Sequence, residues 1–161
     1  MTTDTASRPA ASDPARFMEL GGLQRVEAIA AGREPMAPML QGLEVTLHAW
    51  SEGRIELRAV PQARFYNFMN AAHGGWALTL LDTCMALSAL STLLPGEFAP
   101  TLDTSGKFVR PITEQAGELR AMGQVVSRGR RVIAMDGRIE DAAGRLYAHG
   151  TSTCLISDWR G

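Results

Sequence analysis

The sequence predicts an α+β domain in which one antiparallel sheet is wrapped around a long central helix, with an extra helix at the N-terminal end. Three observations predict it. A long apolar segment runs from Gly74 to Leu94 and is stopped by Pro95-Gly96. Strand-like patterns flank it on both sides. Strands do not alternate with helices along the chain, which disfavours a doubly wound parallel sheet.

The first helix starts at Asp13-Pro14, an N-cap acid followed by Pro at the first helical position. Phe17, Leu20, Leu23, Val26 and Ile29 then recur near the helical period, interrupted by Gly21-Gly22, and "AGREP" closes the element. The segment "PMAPMLQG" reads as a loop. Leu43, Val45, Leu47 and Ala49 alternate with polar neighbours, and after "SEG" so do Ile55, Leu57 and Ala59, which predicts two strands and a short turn. After the central helix come four strand-like runs, Thr101–Val109, Glu118–Ser127, Arg131–Glu140 and Arg145–Ser157. The turns "RPITEQAG", "SRGR" and "DAAG" separate them. Glycines 123, 137 and 150 inside these runs point to bulges or close backbone approach.

At 161 residues the chain fits one domain, with a polar, disordered lead-in expected over 1–12 and a single domain over 13–161. A hydrophobic share of 45% with 20% charged residues argues against disorder of the rest. A formal charge of −1 gives no pull toward nucleic acid or an anionic membrane surface. Cys84 and Cys154 lie far apart without metal-ligand spacing and read as core thiols in a reducing compartment. The start of the chain lacks the basic and apolar pattern of a secretory signal, so a cytoplasmic location is expected. The central segment is long enough to cross a bilayer, but Asp82 near its midpoint would cost roughly 2.5–3.5 kcal/mol on insertion, and several Ser and Thr accompany it.

The stretch Asn67–Thr83, "NFMNAAHGGWALTLLDT", passes from turn-forming residues through His73-Gly74-Gly75 into that helix, with Asp82 as its one carboxylate. Backbone N–H groups at a helix start lack intrahelical partners and favour nearby negative charge. Glycine there lets a substrate approach the backbone. Apolar surroundings disfavour an ionised carboxylate and make it a stronger base. Two plain alternatives stand beside these: glycines serving only a tight turn, and an acid satisfied by Ser or Thr hydroxyls.

The element order, the HGG opening and an acid nine residues after the histidine resemble the hotdog-fold acyl-CoA thioesterases. Within them the chain is similar to the phenylacetate-pathway and second-type 4-hydroxybenzoyl-CoA thioesterases. The resemblance covers residues 40–157 and rests on Asn67, His73-Gly74-Gly75, Asp82 in "LLDT" and the strand "TLDTSGKFVRP". Two departures are visible. The family often has Gly three residues before the histidine, where this chain has Asn70, and some members have Thr four residues after the acid, where it has Ala86.

The resemblance implies an enzyme that hydrolyses a medium-chain or aromatic acyl-CoA to acid and CoA, with no metal or redox cofactor. It assigns the Gly74 amide to the thioester carbonyl and Asp82 to the base or nucleophile. Asn67 would help hold the carbonyl or the catalytic water, or else serve its own turn. His73 would set the helix start through its ring, and Thr101 would hold the attacking water near the acid. Granting the two main roles, spacing adds a constraint. Asp82 lies eight residues beyond Gly74, about 12 Å along a helix, whereas both groups must approach one reacting centre. Two antiparallel copies solve this, so a homodimer at least is expected, with a homotetramer as the larger assembly.

Guanidinium groups suit phosphate contacts, which marks Arg110, Arg128, Arg130 and Arg131 for the CoA phosphates, or as a solvated turn. Gly75 and Trp76 are candidate substrate contacts, and Leu80, Met85, Phe65, Tyr66 and Phe68 could line an acyl slot or simply pack. His48 and His149 receive no chemistry. The rival readings are a non-catalytic acyl-CoA-binding protein of the same fold and a hydratase or dehydratase, which would set a histidine against an acid.

Overall fold

The computed structural model describes residues 13–160, and the expected lead-in over 1–12 lies outside the described residues. In chain order the elements are α1 (Pro14–Glu19), α2 (Gly22–Ala30), α3 (Pro38–Gly42), β1 (Thr46–Ser51), β2 (Arg54–Ala59), α4 (Gly74–Leu90), β3 (Glu97–Phe98), β4 (Thr101–Phe108), β5 (Leu119–Arg128), β6 (Val132–Asp141), β7 (Leu146–Leu155) and β8 (Ser157–Asp158). Six strands form one sheet in the order β1-β2-β5-β6-β7-β4, every neighbouring pair antiparallel, and β3 with β8 makes a small separate ribbon. Helix α4 packs against β2, β4, β5, β6 and β7, so the predicted sheet around a central helix is what forms. No described helix is long and apolar enough to cross a membrane.

Helix α4 forms where the sequence places it, because its polar residues satisfy themselves. The hydroxyls of Thr79, Thr83 and Ser88 each donate to the carbonyl four residues earlier, at 2.9, 2.7 and 2.7 Å. Leu80, Leu81, Cys84 and Met85 are fully buried against Leu57, Leu119, Ile133 and Ile139. Each such large aliphatic side chain contributes roughly 1.5–3 kcal/mol. The helix ends at Leu90, four residues before the apolar run stops.

Three local expectations are corrected. The single N-terminal helix is two, because Leu20 turns extended at ψ 147°. A Cβ on Gly22 would collide with the Leu90 carbonyl, and Gly22 N–H donates to Leu93 O at 2.8 Å, so the glycine pair marks where α2 abuts the end of α4. The loop "PMAPMLQG" contains α3, started by Pro38. The β3–β8 ribbon is too short to leave a sequence pattern. The strand glycines do mark close approach. Gly123, Gly137, Gly150 and Gly106 stand side by side across four strands, and a Cβ on Gly137 would lie 2.9 Å from Met85 Cγ.

Arg25 was not distinguished by its pattern, yet it is fully buried. Its guanidinium donates to the carbonyls of Phe17 (3.1 Å), Leu20 (2.9 Å), Met18 (3.0 Å), Leu94 (3.4 Å) and Glu97 (2.7 Å), tying α1 to the segment after α4. Burial lowers its pKa, and the Glu97 carboxylate opposes that. Arg25→Leu is expected to destabilise the fold by roughly 3 kcal/mol or more, since buried carbonyls left without a donor are costly. Urea denaturation measures it; a loss under about 1 kcal/mol would mean that water replaces the guanidinium.

Candidate active site

The approach to α4 is a rigid turn. Tyr66 and Ala72 form an antiparallel bridge, and Asn67 N–H donates to Ala71 O at 2.8 Å. The Asn67 side-chain Oδ1 accepts from Met69 N–H (2.8 Å) and Ala71 N–H (3.4 Å). Asn67 therefore serves its own turn through Oδ1, while its Nδ2 has no acceptor among the described residues. Asn70 adopts φ 56°, the left-handed region. That accounts for the first departure, because asparagine is among the few side chains that replace glycine there at low cost. The arms of the turn are fixed by Ala72 N–H to Ile112 O (2.7 Å) and His73 N–H to Phe65 O (2.8 Å).

His73 is the N-cap of α4, and its Nδ1 accepts from Gly75 N–H at 3.3 Å. The His73 carbonyl accepts from Trp76 N–H and Ala77 N–H. Of the first-turn amides, only that of Gly74 has no acceptor among the described residues. The exposed Gly75 amide is occupied by the histidine ring. Beside Gly74 lies Phe108, the last residue of β4: a Cβ on Gly74 would stand 3.3 Å from Cε2 and 3.4 Å from Cζ of that ring.

Asp82 is half-buried, with both threonine hydroxyls donating to its Oδ1, Thr104 at 2.7 Å and Thr101 at 3.3 Å. Its Oδ2 accepts nothing among the described residues. The apolar setting expected from the flanking sequence is thus corrected: tertiary contact supplies two hydroxyls from β4. Residues 101 and 104 of a regular strand would face opposite sides. A register shift between Thr101 and Asp103 inserts Leu102 as an extra residue and turns both threonines toward the acid. Thr104 was missed for this reason, although it stands in the quoted strand. Ser152 Oγ lies 3.1 Å from Thr104 Oγ1 and donates to Asp103 O at 2.8 Å, which supports the threonine from behind.

The separation of the two ends can be read twice. Eight helical residues from Gly74 to Asp82 span about 12 Å. Strand β4 runs antiparallel beside α4, touching Gly74 through Phe108 and Asp82 through Thr104. Four strand residues span about 13 Å. Among the described residues, one chain thus holds a free amide at the start of α4 and a free carboxylate oxygen at its middle, about 12 Å apart.

The remaining candidates divide. Arg130 and Arg131 are exposed with no side-chain partner among the described residues. Arg110 donates to Leu146 O at 2.8 Å. Arg128 is engaged structurally, donating to Thr92 O (3.2 Å) and pairing with Glu97 (2.8 Å). Trp76, expected at the substrate, is buried in the core, and its indole N–H has no acceptor among the described residues. Leu80 and Met85 are likewise core residues and line no open slot. Phe68 is fully exposed at the tip of the turn. Among the described residues no cluster of His, Cys, Asp and Glu is arranged to hold a metal. A trough of 870 Å³ lies elsewhere, bordered by Trp50, Arg54, Gln124, Asp136, Arg138 and His149, and none of the candidate catalytic residues lines it.

Comparison with known proteins follows the same lines. The family model of the thioesterase superfamily matches residues 69–148, the stretch from the turn through α4 into β7. No curated protein matches the chain. Among solved structures, a phenylacetic acid degradation-related protein from Ralstonia eutropha is 27% identical, with a TM-score of 0.74 over 80% of this chain and 97% of its own. The PaaI protein from the phenylacetic acid degradation operon of E. coli is 21% identical, with a TM-score of 0.73 over 89% and 97% of the two chains. A thioesterase from Haemophilus influenzae is 19% identical, with a TM-score of 0.72 over 84% and 90%. At their lower identities these last two speak for the fold alone.

Proposed function

We propose, from the match of residues 69–148 to the thioesterase superfamily, that this thioester hydrolase converts a medium-chain or aromatic acyl-CoA to the free acid and CoA at a site shared by two subunits. The observation that carries this reading is the pair of unsatisfied groups on α4. Among the described residues, the Gly74 N–H is the one first-turn amide without an acceptor, and Oδ2 of Asp82 is a carboxylate oxygen without a donor. The Ralstonia eutropha relative tied by name to phenylacetic acid degradation, at 27% identity, supports an aromatic acyl group.

The thioester carbonyl sits at the Gly74 N–H, with the free Nδ2 of Asn67 as a second donor. A preorganised N–H aimed at the developing oxyanion lowers the barrier by on the order of 3–4 kcal/mol. Asp82 of the partner subunit acts by one of two routes. As a general base it takes a proton from water while the water oxygen adds to the carbonyl carbon. The C–S bond then breaks, and the CoA thiolate leaves with that proton. As a nucleophile its Oδ2 forms a mixed anhydride, expelling the thiolate, and water then cleaves the anhydride. Thr101 and Thr104 hold Oδ1 in either case and keep Oδ2 turned toward the substrate. Arg130, Arg131 and Arg110 are placed on exposed segments suited to the CoA phosphates.

Strand β4 supplies the contact between subunits. It is an edge strand with Leu102 and Phe108, and Val109 just beyond it, about half exposed, and an unpaired edge is a template for another strand. Antiparallel pairing of two β4 strands about a two-fold near Gly106 sets Thr104 opposite Phe108 of the partner subunit. Each Asp82 then faces the Gly74 of the other chain. Sedimentation equilibrium tests this dimer and the homotetramer expected beyond it. A cytoplasmic location is part of the proposal and agrees with two free, buried cysteines.

The activity is tested by thiol release from short, medium, long and aromatic acyl-CoAs. The expected result is turnover concentrated in the medium or aromatic group. Silence across the whole panel would overturn the hydrolase reading and favour a protein that only binds acyl-CoA.

A further inference from the structure

Phe108 combines two properties that seldom coincide. Its ring packs against the Gly74 backbone, close enough that a Cβ there would touch it at 3.3 Å, and yet the residue is 54% exposed. The backbone that carries the ring is fixed. Phe108 is registered against Ala148 of β7, and the next residue is fixed by Val109 N–H to Tyr147 O at 2.7 Å. Its side chain shares the helix-facing side of β4 with Gly106 and Thr104, which follow the strand period. Gly106 lets α4 approach that side closely: a Cβ there would stand 3.1 Å from Leu78 Cδ1 and 3.5 Å from Leu81 Cδ1, so Phe108 is the side chain of this row that stays exposed.

A thioester whose oxygen rests on the Gly74 N–H has its acyl α-carbon one bond from the carbonyl carbon. The first acyl atoms therefore lie within reach of whatever flanks Gly74, and on the β4 side that is an aromatic face. Of the other groups expected to line an acyl slot, Trp76, Leu80 and Met85 are sealed in the core, Phe65 and Tyr66 are partly buried, and Phe68 projects into solvent at the tip of the turn. An exposed ring on a fixed backbone gains most from a flat or extended apolar group and little from a two-carbon one.

We propose that Phe108 is the wall of the acyl slot and sets the preference for aromatic and medium-chain acyl groups over acetyl. This rests on the assignment of the Gly74 amide to the thioester carbonyl. In the shared site the same ring would lie between its own Gly74 and Asp82 of the partner subunit, so one residue would join the carbonyl cradle to the acyl specificity.

The experiment uses the full chain and the Phe108→Ala and Phe108→Leu variants. Dissociation constants are measured by calorimetry for non-hydrolysable thioether analogues of an aromatic, a medium-chain and a two-carbon acyl-CoA, with free CoA as reference. Hydrolysis of N-acetylcysteamine thioesters, which lack the nucleotide, is followed alongside. Phe108→Ala is expected to weaken the aromatic and medium-chain analogues roughly 10-fold and to leave the two-carbon analogue and CoA within about 2-fold. Phe108→Leu should recover the medium-chain analogue more than the aromatic one. The same ordering should hold for the N-acetylcysteamine thioesters.

Equal weakening of all analogues, or none, overturns the proposal, as does a loss that vanishes once the nucleotide is removed. A wild-type protein inactive on every thioester would overturn the hydrolase reading instead. The thioether affinities would still decide the role of Phe108.

Discussion

Replacing Asp82 by asparagine is expected to lower thioester turnover by on the order of 10²–10⁴-fold with the fold and the dimer intact. The substitution keeps the size of the side chain. The amide oxygen still accepts from Thr104 and Thr101, which now donate to Oδ1 at 2.7 and 3.3 Å. The nitrogen replaces Oδ2, the oxygen that has no donor among the described residues, so packing against β4 changes little. What disappears is the only group on this face of α4 able to take a proton from water or attack a carbonyl. Steady-state kinetics with a responsive acyl-CoA, together with sedimentation of the same sample, checks it. Turnover within a few-fold of wild type would remove Asp82 from the reaction and leave its two hydroxyl contacts as an ordinary satisfied acid.

A larger claim concerns where the second half of the site comes from. A bulky residue at position 74, Gly74→Val, places carbon where the Phe108 ring already stands 3.3–3.4 Å from a first Cβ, and it screens the free amide from any carbonyl. Homodimers of Gly74→Val and of Asp82→Asn should each be nearly inactive. After subunit exchange in equal amounts, activity should return to about a quarter of the wild-type value, because half the dimers are mixed and each has one complete site. The complete site joins Gly74 from the Asp82→Asn chain with Asp82 from the Gly74→Val chain. If both groups served one thioester within a single chain, no mixture would recover anything. Exchange proven by mass spectrometry with no return of activity would exclude the shared site.

Much of this site could be read before any coordinates. The turn residues before His73, the HGG opening and the position of Asp82 place the two chemical ends on one helix. Asn67 and His73 carry side chains suited to the local bonds they make, one closing its own turn and the other capping the helix two residues on. These are short-range features: the partner of each group lies within about one turn of chain, so the sequence spacing is also the spatial spacing. The resemblance, too, was legible in that stretch, and the superfamily match over residues 69–148 takes in all of it but Asn67 and Phe68.

The acid's surroundings were not legible in the same way. Its neighbours in sequence are apolar, but its neighbours in space are two threonines 19 and 22 residues away. They reach it together only because Leu102 bulges out of the ladder. Strand periodicity alone sends Thr104 to the far side. Arg25 failed in the same manner, since its acceptors at Leu94 and Glu97 lie 69 and 72 residues off. Trp76 failed in the opposite sense: a large aromatic next to the helix start suggested a substrate contact, and the packing of α4 against the sheet buried it.

The chain by itself determined the separation of amide and carboxylate, because a helix advances by a fixed rise per residue and nothing elsewhere in the fold can shorten it. Only the tertiary structure decided what stands beside each end, Phe108 at Gly74 and the two threonines at Asp82. Those contacts depend on how β4 lies along α4 and on one irregular pairing with β7, which no local period encodes.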